Sequence, residues 1–131
     1  MEKKKILLID DEKDLCELIK LNLESGGEYA VEIANSGEEG VKKVKEGSFD
    51  LVITDFRMPG MDGEDVLAAL KSMNVEPPVI LFSIYHDDDS TITGKIRSMA
   101  DGLISKPIDH EHLNKVIREV LAKKKKNNKG D

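Results

Sequence analysis

At 131 residues, 39% hydrophobic and 35% charged, the chain is sized for one soluble globular domain with one core, not for a disordered or multidomain protein. No apolar run nears the roughly 20 residues of a membrane span, and the opening Met-Glu-Lys-Lys-Lys leads into only four apolar residues, too few for a signal peptide. The formal net charge of -6 is uneven: residues 123–131 hold a local +4, leaving about -10 on the rest, which argues against direct nucleic-acid binding by the domain body.

The single cysteine, Cys16, cannot close an internal disulfide and fits a reducing, cytoplasmic setting. It falls in a helical pattern and reads as packing rather than chemistry.

In chain order, apolar runs at about 5–9, 30–34, 50–54, 79–82 and 102–105 predict five short strands, mostly buried on both faces. Helical patterns alternate with them, the signature of an α/β domain with a parallel sheet. The first helix is predicted over 13–24, stopping at Gly26-Gly27. The run Tyr29 to Ala34 is the least apolar and suits an edge. Ser36-Gly37-Glu38-Glu39 reads as a capping box opening the second helix, which ends near Gly47.

The third helix follows Asp62-Gly63 and places Val66, Leu67, Leu70 and Met73 at helical spacing; Pro77-Pro78 closes that connection. The fourth, around 87–99, is weak. It contains Ser90-Thr91-Ile92-Thr93-Gly94, and Gly94 alone costs about 1 kcal/mol against alanine. The fifth follows Asp109 and carries the cleanest amphipathic stripe, Leu113, Val116, Ile117, Val120 and Leu121. The domain is therefore expected to occupy 1–122, with 123–131 a lysine-rich, disordered, solubilising tail.

Four strand ends carry polar residues: Asp10-Asp11, Asp55, Ser83, and Lys106-Pro107. Ligands of open parallel sheets bind beyond the carboxyl ends of the strands. If strand 2 lies outside strand 1, right-handed crossovers bring the ends of strands 1 and 3 together. Asp10, Asp11 and Asp55 would then be neighbours. At about 4 Å and an effective dielectric near 20, each like-charge pair costs ~4 kcal/mol.

A Mg²⁺ ion, with its preference for hard oxygen ligands, would offset that repulsion and could bridge to phosphate. Asp11 is alternatively a cap for the first helix. Asp55, at the end of an apolar strand, is the best nucleophile towards phosphorus. Ser83 and Lys106 suit phosphoryl oxygens. Pro107 fixes the turn after Lys106 and is a candidate cis-proline. His110 and His112 do not share a helix face and suggest no metal site.

From Lys4 to Leu121 the chain resembles the receiver domain of bacterial and archaeal two-component response regulators. Ile-Leu-Leu-Ile-Asp-Asp-Glu at 6–12 is similar to the family's acidic pair, and Thr-Asp-Phe-Arg-Met-Pro-Gly-Met-Asp-Gly at 54–63 to its phosphoacceptor motif. Leu-Phe-Ser at 81–83 and Ser-Lys-Pro at 105–107 match its hydroxyl residue and lysine.

The resemblance implies a flavodoxin-like, doubly wound five-stranded sheet of order 2-1-3-4-5 with five helices. It implies that Asp55 accepts a phosphoryl group from a sensor histidine kinase, a histidine phosphotransfer protein or a small phosphodonor. Asp11, Asp55 and the backbone carbonyl of Arg57 would bind Mg²⁺ or Mn²⁺, and Asp10 would act mainly through a metal-bound water. Ser83 and Lys106 would hold the phosphoryl group.

The implied output is a switched surface on helix 4, strand 5 and helix 5, recognised by an effector or by a second copy in a phosphorylation-dependent homodimer. Neither nucleic acid nor membrane is an implied direct partner. The protein would be a signalling phosphoacceptor, not an enzyme with turnover. Where the family usually carries Tyr or Phe three residues before the lysine, this chain has Leu103, so an aromatic flip there is ruled out. Tyr85 is the nearest aromatic to Ser83 in sequence and a candidate gate. Arg57 and Tyr85 also occupy the two positions that the resemblance links to water access, and their bulk implies slow hydrolysis.

Three rivals share parts of this pattern. A haloacid-dehalogenase-type phosphatase puts its aspartate nucleophile on strand 1 in Asp-x-Asp, whereas here strand 1 gives adjacent aspartates. A flavodoxin needs a Ser/Thr/Gly-rich phosphate loop where this chain has Asp10-Asp11. A receiver-like interaction module that works without phosphorylation is the third.

Overall fold

A computed structural model describes residues 2–73, 77–83 and 94–129, with residue 95 and residues 124–129 described in backbone only. Five strands, β1 (Lys4–Ile9), β2 (Tyr29–Ala34), β3 (Leu51–Asp55), β4 (Val79–Ser83) and β5 (Gly102–Ser105), form one parallel sheet of order β2-β1-β3-β4-β5. The helices are α1 (Lys13–Glu24), α2 (Gly37–Glu46), α3 (Gly63–Lys71), α4 (Gly94–Met99) and α5 (His110–Lys129). The least apolar run, β2, is at an edge, as predicted.

Strand periodicity divides the core in two. Ile6, Leu8, Leu51, Ile53, Ile80 and Phe82 face α1 and α5, meeting Cys16, Ile19, Leu23, Leu113, Ile117 and Val120. Leu7, Ile9, Val52, Val79 and Leu81 face α2, α3 and α4, meeting Val41, Val44, Val66, Leu67, Leu70 and Ile96. Both faces of β1, β3 and β4 are thus covered, which is why these strands read as unbroken apolar runs.

Helix ends follow the sequence signals with corrections. Ser36 Oγ accepts from Glu39 N (3.1 Å), but the Glu39 carboxylate reaches Asn35 N (2.9 Å) rather than Ser36, so the predicted box is completed one residue early. Asp62 and Asp65 make a full capping box opening α3. Met73 lies beyond the end of α3, partly buried against the second core. Asp11 does not cap α1: the N-cap is Glu12, without a side-chain cap bond, and Asp10 Oδ1 accepts from Glu12 N (3.0 Å). Asp109 Oδ1 accepts from Glu111 N and His112 N at the start of α5.

The described part of the weak fourth segment is the six-residue α4; its residues 87–93 lie outside the described residues. At the other end, the α5 backbone stays helical through Lys129, into the stretch that composition assigns to a disordered tail. Lysine is a good helix former, and no glycine or proline interrupts before Gly130.

Candidate functional site

Strand register brings the polar ends together stepwise. Ile9 pairs with Thr54, Asp55 with Phe82, and Ser83 with Ser105. Asp10 and Asp55 each follow the last β1–β3 pair, and Lys106 follows Ser105. The continuing loops are tied to the sheet by Asp10 N to Ala34 O (3.0 Å), Phe56 N to Phe82 O (2.9 Å) and Lys106 N to Ser83 O (2.7 Å). The Lys106–Pro107 peptide is cis.

Close packing places the loop after β3. Gly63 N donates to Phe56 O (2.8 Å), and a Cβ on Gly63 would lie 2.7 Å from Phe56 Cα and 2.8 Å from Asp55 O. Only glycine lets α3 start that close to Asp55. The buried Thr54 hydroxyl donates to Asp55 O (3.0 Å), further restraining the strand end.

Asp10, Asp11 and Asp55 each offer a carboxylate oxygen within 4.8 Å of the others. Asp10 and Asp55 are buried, and Asp11 is exposed. Lys106 Nζ lies 3.0 Å from Asp10 Oδ2, 3.2 Å from Asp55 Oδ2 and 3.1 Å from Glu12 Oε1. Burial, and then the charge of Asp10, push the Asp55 carboxyl up to about 6 against the opposing pull of Lys106. Burial also raises Asp10, opposed by its bond from Glu12 N and by Lys106. For Lys106, burial disfavours the charge, yet the hydrogen bond and charge of Asp10, then Asp55 and Glu12, hold its pKa above the usual lysine range.

Hard carboxylate oxygens at this spacing, two of them buried, fit a divalent cation of the Mg²⁺ type. Both Asp10 oxygens accept hydrogen bonds, Oδ1 from Glu12 N and Oδ2 from Lys106 Nζ. Ser83 is buried at the end of β4. Arg57 is exposed, its guanidinium 6.0 Å from the centre of the Phe56 ring. Leu103 pairs with Leu81 and is partly buried against the second core. Beside it Gly102, Val116 and Val120 line a separate hollow of about 600 Å³, rimmed by Asp101, His112, Glu119 and Lys123. Tyr85 lies outside the described residues.

Sequence reading missed two supports of this site. Glu12 is the third anion on Lys106. Asn35 Nδ2 donates to Asp10 O (3.0 Å), which also accepts from Cys16 Sγ (3.4 Å). Burial pushes the Cys16 thiol up to about 12, so it acts as a packed donor rather than a nucleophile. Glu12 carried a signal in its adjacency to the acidic pair; Asn35, on the edge-strand loop, carried none.

Over residues 6–118 the sequence matches the response regulator receiver domain family. It is 36% identical over 117 residues to the transcriptional regulatory protein ZraR of Klebsiella oxytoca, covering 89% of this chain and 26% of that protein. It is 35% identical over 121 residues to the uncharacterized transcriptional regulatory protein YkoG of Bacillus subtilis, covering 92% of this chain and 52% of that one. The chain thus spans between about a quarter and about half of these relatives' length.

Among solved structures, a response regulator receiver domain protein from Clostridium thermocellum is similar at TM-score 0.82 and 33% identity, over 93% of this chain and 97% of that one. The N-terminal domain of a response regulator/sensory box/GGDEF 3-domain protein from Carboxydothermus hydrogenoformans gives TM-score 0.84 and 32% identity, over 95% and 98%.

Proposed function

Because the chain belongs to the response regulator receiver domain family of two-component systems, we propose that Asp55 is its phosphoacceptor and that residues 1–122 form the receiver unit. The observation that carries this reading is the buried Asp55 carboxylate, with an oxygen within 4.8 Å of those of Asp10 and Asp11 and 3.2 Å from the Lys106 ammonium. An Asp55 oxygen attacks phosphorus; the new O–P bond forms as the donor's P–N or P–O bond breaks, and the donor leaves with that electron pair. A sensor histidine kinase or histidine phosphotransfer protein is the proposed donor in the cell, where a cytoplasmic location fits.

Asp11, Asp55 and the Arg57 carbonyl are the proposed direct ligands of Mg²⁺ or Mn²⁺, with Asp10 acting through water. When bound, the cation would offset the carboxylate charge and neutralise charge on the transferred phosphoryl group. Lys106 and Ser83 hold those oxygens. Lys106, already beside Asp55, needs only a short movement to transfer its hydrogen bond from the carboxylate to the incoming group. The protein acts as a signalling switch and not as an enzyme with turnover. Phosphorylation biases a two-state equilibrium across α4, β5 and α5, and an effector or a second copy reads that surface. Leu103, partly buried between the second core and the hollow beside β5, takes the place of an aromatic relay.

Incubation with Mg²⁺ and acetyl phosphate, followed by intact-mass measurement, tests the reading. One phosphoryl group is expected on the wild-type chain and none on Asp55→Asn. Leu103 favours one alternative, a module that binds partners without phosphorylation. A wild-type chain that takes no phosphoryl group, yet binds its effector, would establish that alternative.

A further inference from the structure

Three carboxylates surround a lysine that has three N–H donors. Lys106 Nζ lies 3.0 Å from Asp10, 3.1 Å from Glu12 and 3.2 Å from Asp55. Asp10 and Asp55 are buried members of the acidic cluster. Glu12 is different: its side chain is 60% exposed and stands outside the cluster. It also makes no cap bond to its own helix, so among the described residues its carboxylate is directed to Lys106. With Leu15, Pro107 and Ile108, the two residues border an open hollow of about 370 Å³.

This arrangement has a consequence that rests on reading Asp55 as the phosphoacceptor. Once Asp10 and Asp55 are committed to a divalent cation, two of the three counter-charges on Lys106 are shared with a second cation nearby. The ammonium is then drawn outward, and Glu12 is the carboxylate on that side. We propose that Glu12 is a positioning residue: it keeps the Lys106 ammonium at the mouth of the pocket while Asp10 and Asp55 serve the metal. Lys106 therefore stays within reach of the phosphoryl oxygens instead of dispersing into solvent. Glu12 touches neither phosphorus nor metal and acts only through the lysine.

Two measurements on the full chain test this. Lysine-ammonium NMR follows Lys106 Nζ with and without saturating Mg²⁺. The wild-type resonance is expected to stay exchange-protected when Mg²⁺ is added, and that of Glu12→Gln to lose its protection. At saturating Mg²⁺, Glu12→Gln is expected to take phosphoryl from acetyl phosphate about threefold more slowly, the scale an exposed ion pair supports. That difference should shrink at high salt, and the melting temperature should match wild type. A Glu12→Gln resonance still protected in Mg²⁺, or a rate equal to wild type, overturns the proposal. If the wild-type chain accepts no phosphoryl group, the phosphoacceptor reading fails, and the NMR comparison still decides the role of Glu12.

Discussion

At the scale of single residues, Asp55 carries the sharpest electrostatic consequence. Burial, and then the charge of Asp10, push its carboxyl up to about 6 in the folded chain, against ~4 for an exposed aspartate. The folded state therefore binds more protons than the unfolded state between pH ~4 and ~6, so stability of the metal-free protein falls as pH rises through that window. At about 1.4 kcal/mol per unit, keeping the charged form buried costs ~3 kcal/mol at neutral pH. Asp55→Asn removes this cost. In the presence of chelator the variant is expected to melt above wild type at neutral pH, with the gap closing towards pH ~4. Parallel melting curves across that range would show that Lys106 already cancels the penalty. Mg²⁺ should raise the wild-type melting temperature, by ~2.7 kcal/mol of stability at a hundredfold excess over its Kd, and chelation should reverse it.

At the scale of elements, the loop after β3 depends on one close approach. A Gly63→Ala methyl would sit 2.7 Å from Phe56 Cα and 2.8 Å from Asp55 O, both backbone atoms with little room to yield. Overpacking of this kind costs ~1–3 kcal/mol. Urea unfolding of Gly63→Ala should show a loss in that range, together with weaker Mg²⁺ binding as Asp55 shifts; a midpoint equal to wild type would mean that α3 can slide away freely. The described turns of α4 raise a separate expectation. Gly94–Met99 is six residues long and buries Ile96 but exposes Gly94, Arg97 and Ser98. Its amides should exchange faster than those of α1 in the unphosphorylated protein, and equal protection would show packing overriding local propensity.

Across the whole molecule, the sheet separates two cores. Ile19 of α1 belongs to one and Val66 of α3 to the other. Ile19→Ala is expected to cost ~2–5 kcal/mol, and Val66→Ala somewhat less for its smaller side chain. Because the two residues belong to separate core clusters among the described residues, the double variant should equal their sum within ~0.5 kcal/mol. A larger coupling would mean that the central strands transmit strain between the faces.

The strands, the doubly wound class and the residues of the pocket were legible in the sequence because each rests on a local pattern. Apolar runs of strand length ending in Asp10, Asp55, Ser83 and Lys106 need only a parallel sheet to bring them together. Tertiary structure alone decided how those residues are held. That Asp10 gives one oxygen to Lys106, that Asn35 joins Cys16 on its carbonyl, and that Glu12 turns to Lys106 instead of capping α1 each depend on a contact between elements distant in sequence. A strand's periodicity determines which residues face a core; the distances that tune a buried carboxylate arise only when separate strand ends and loops are packed together.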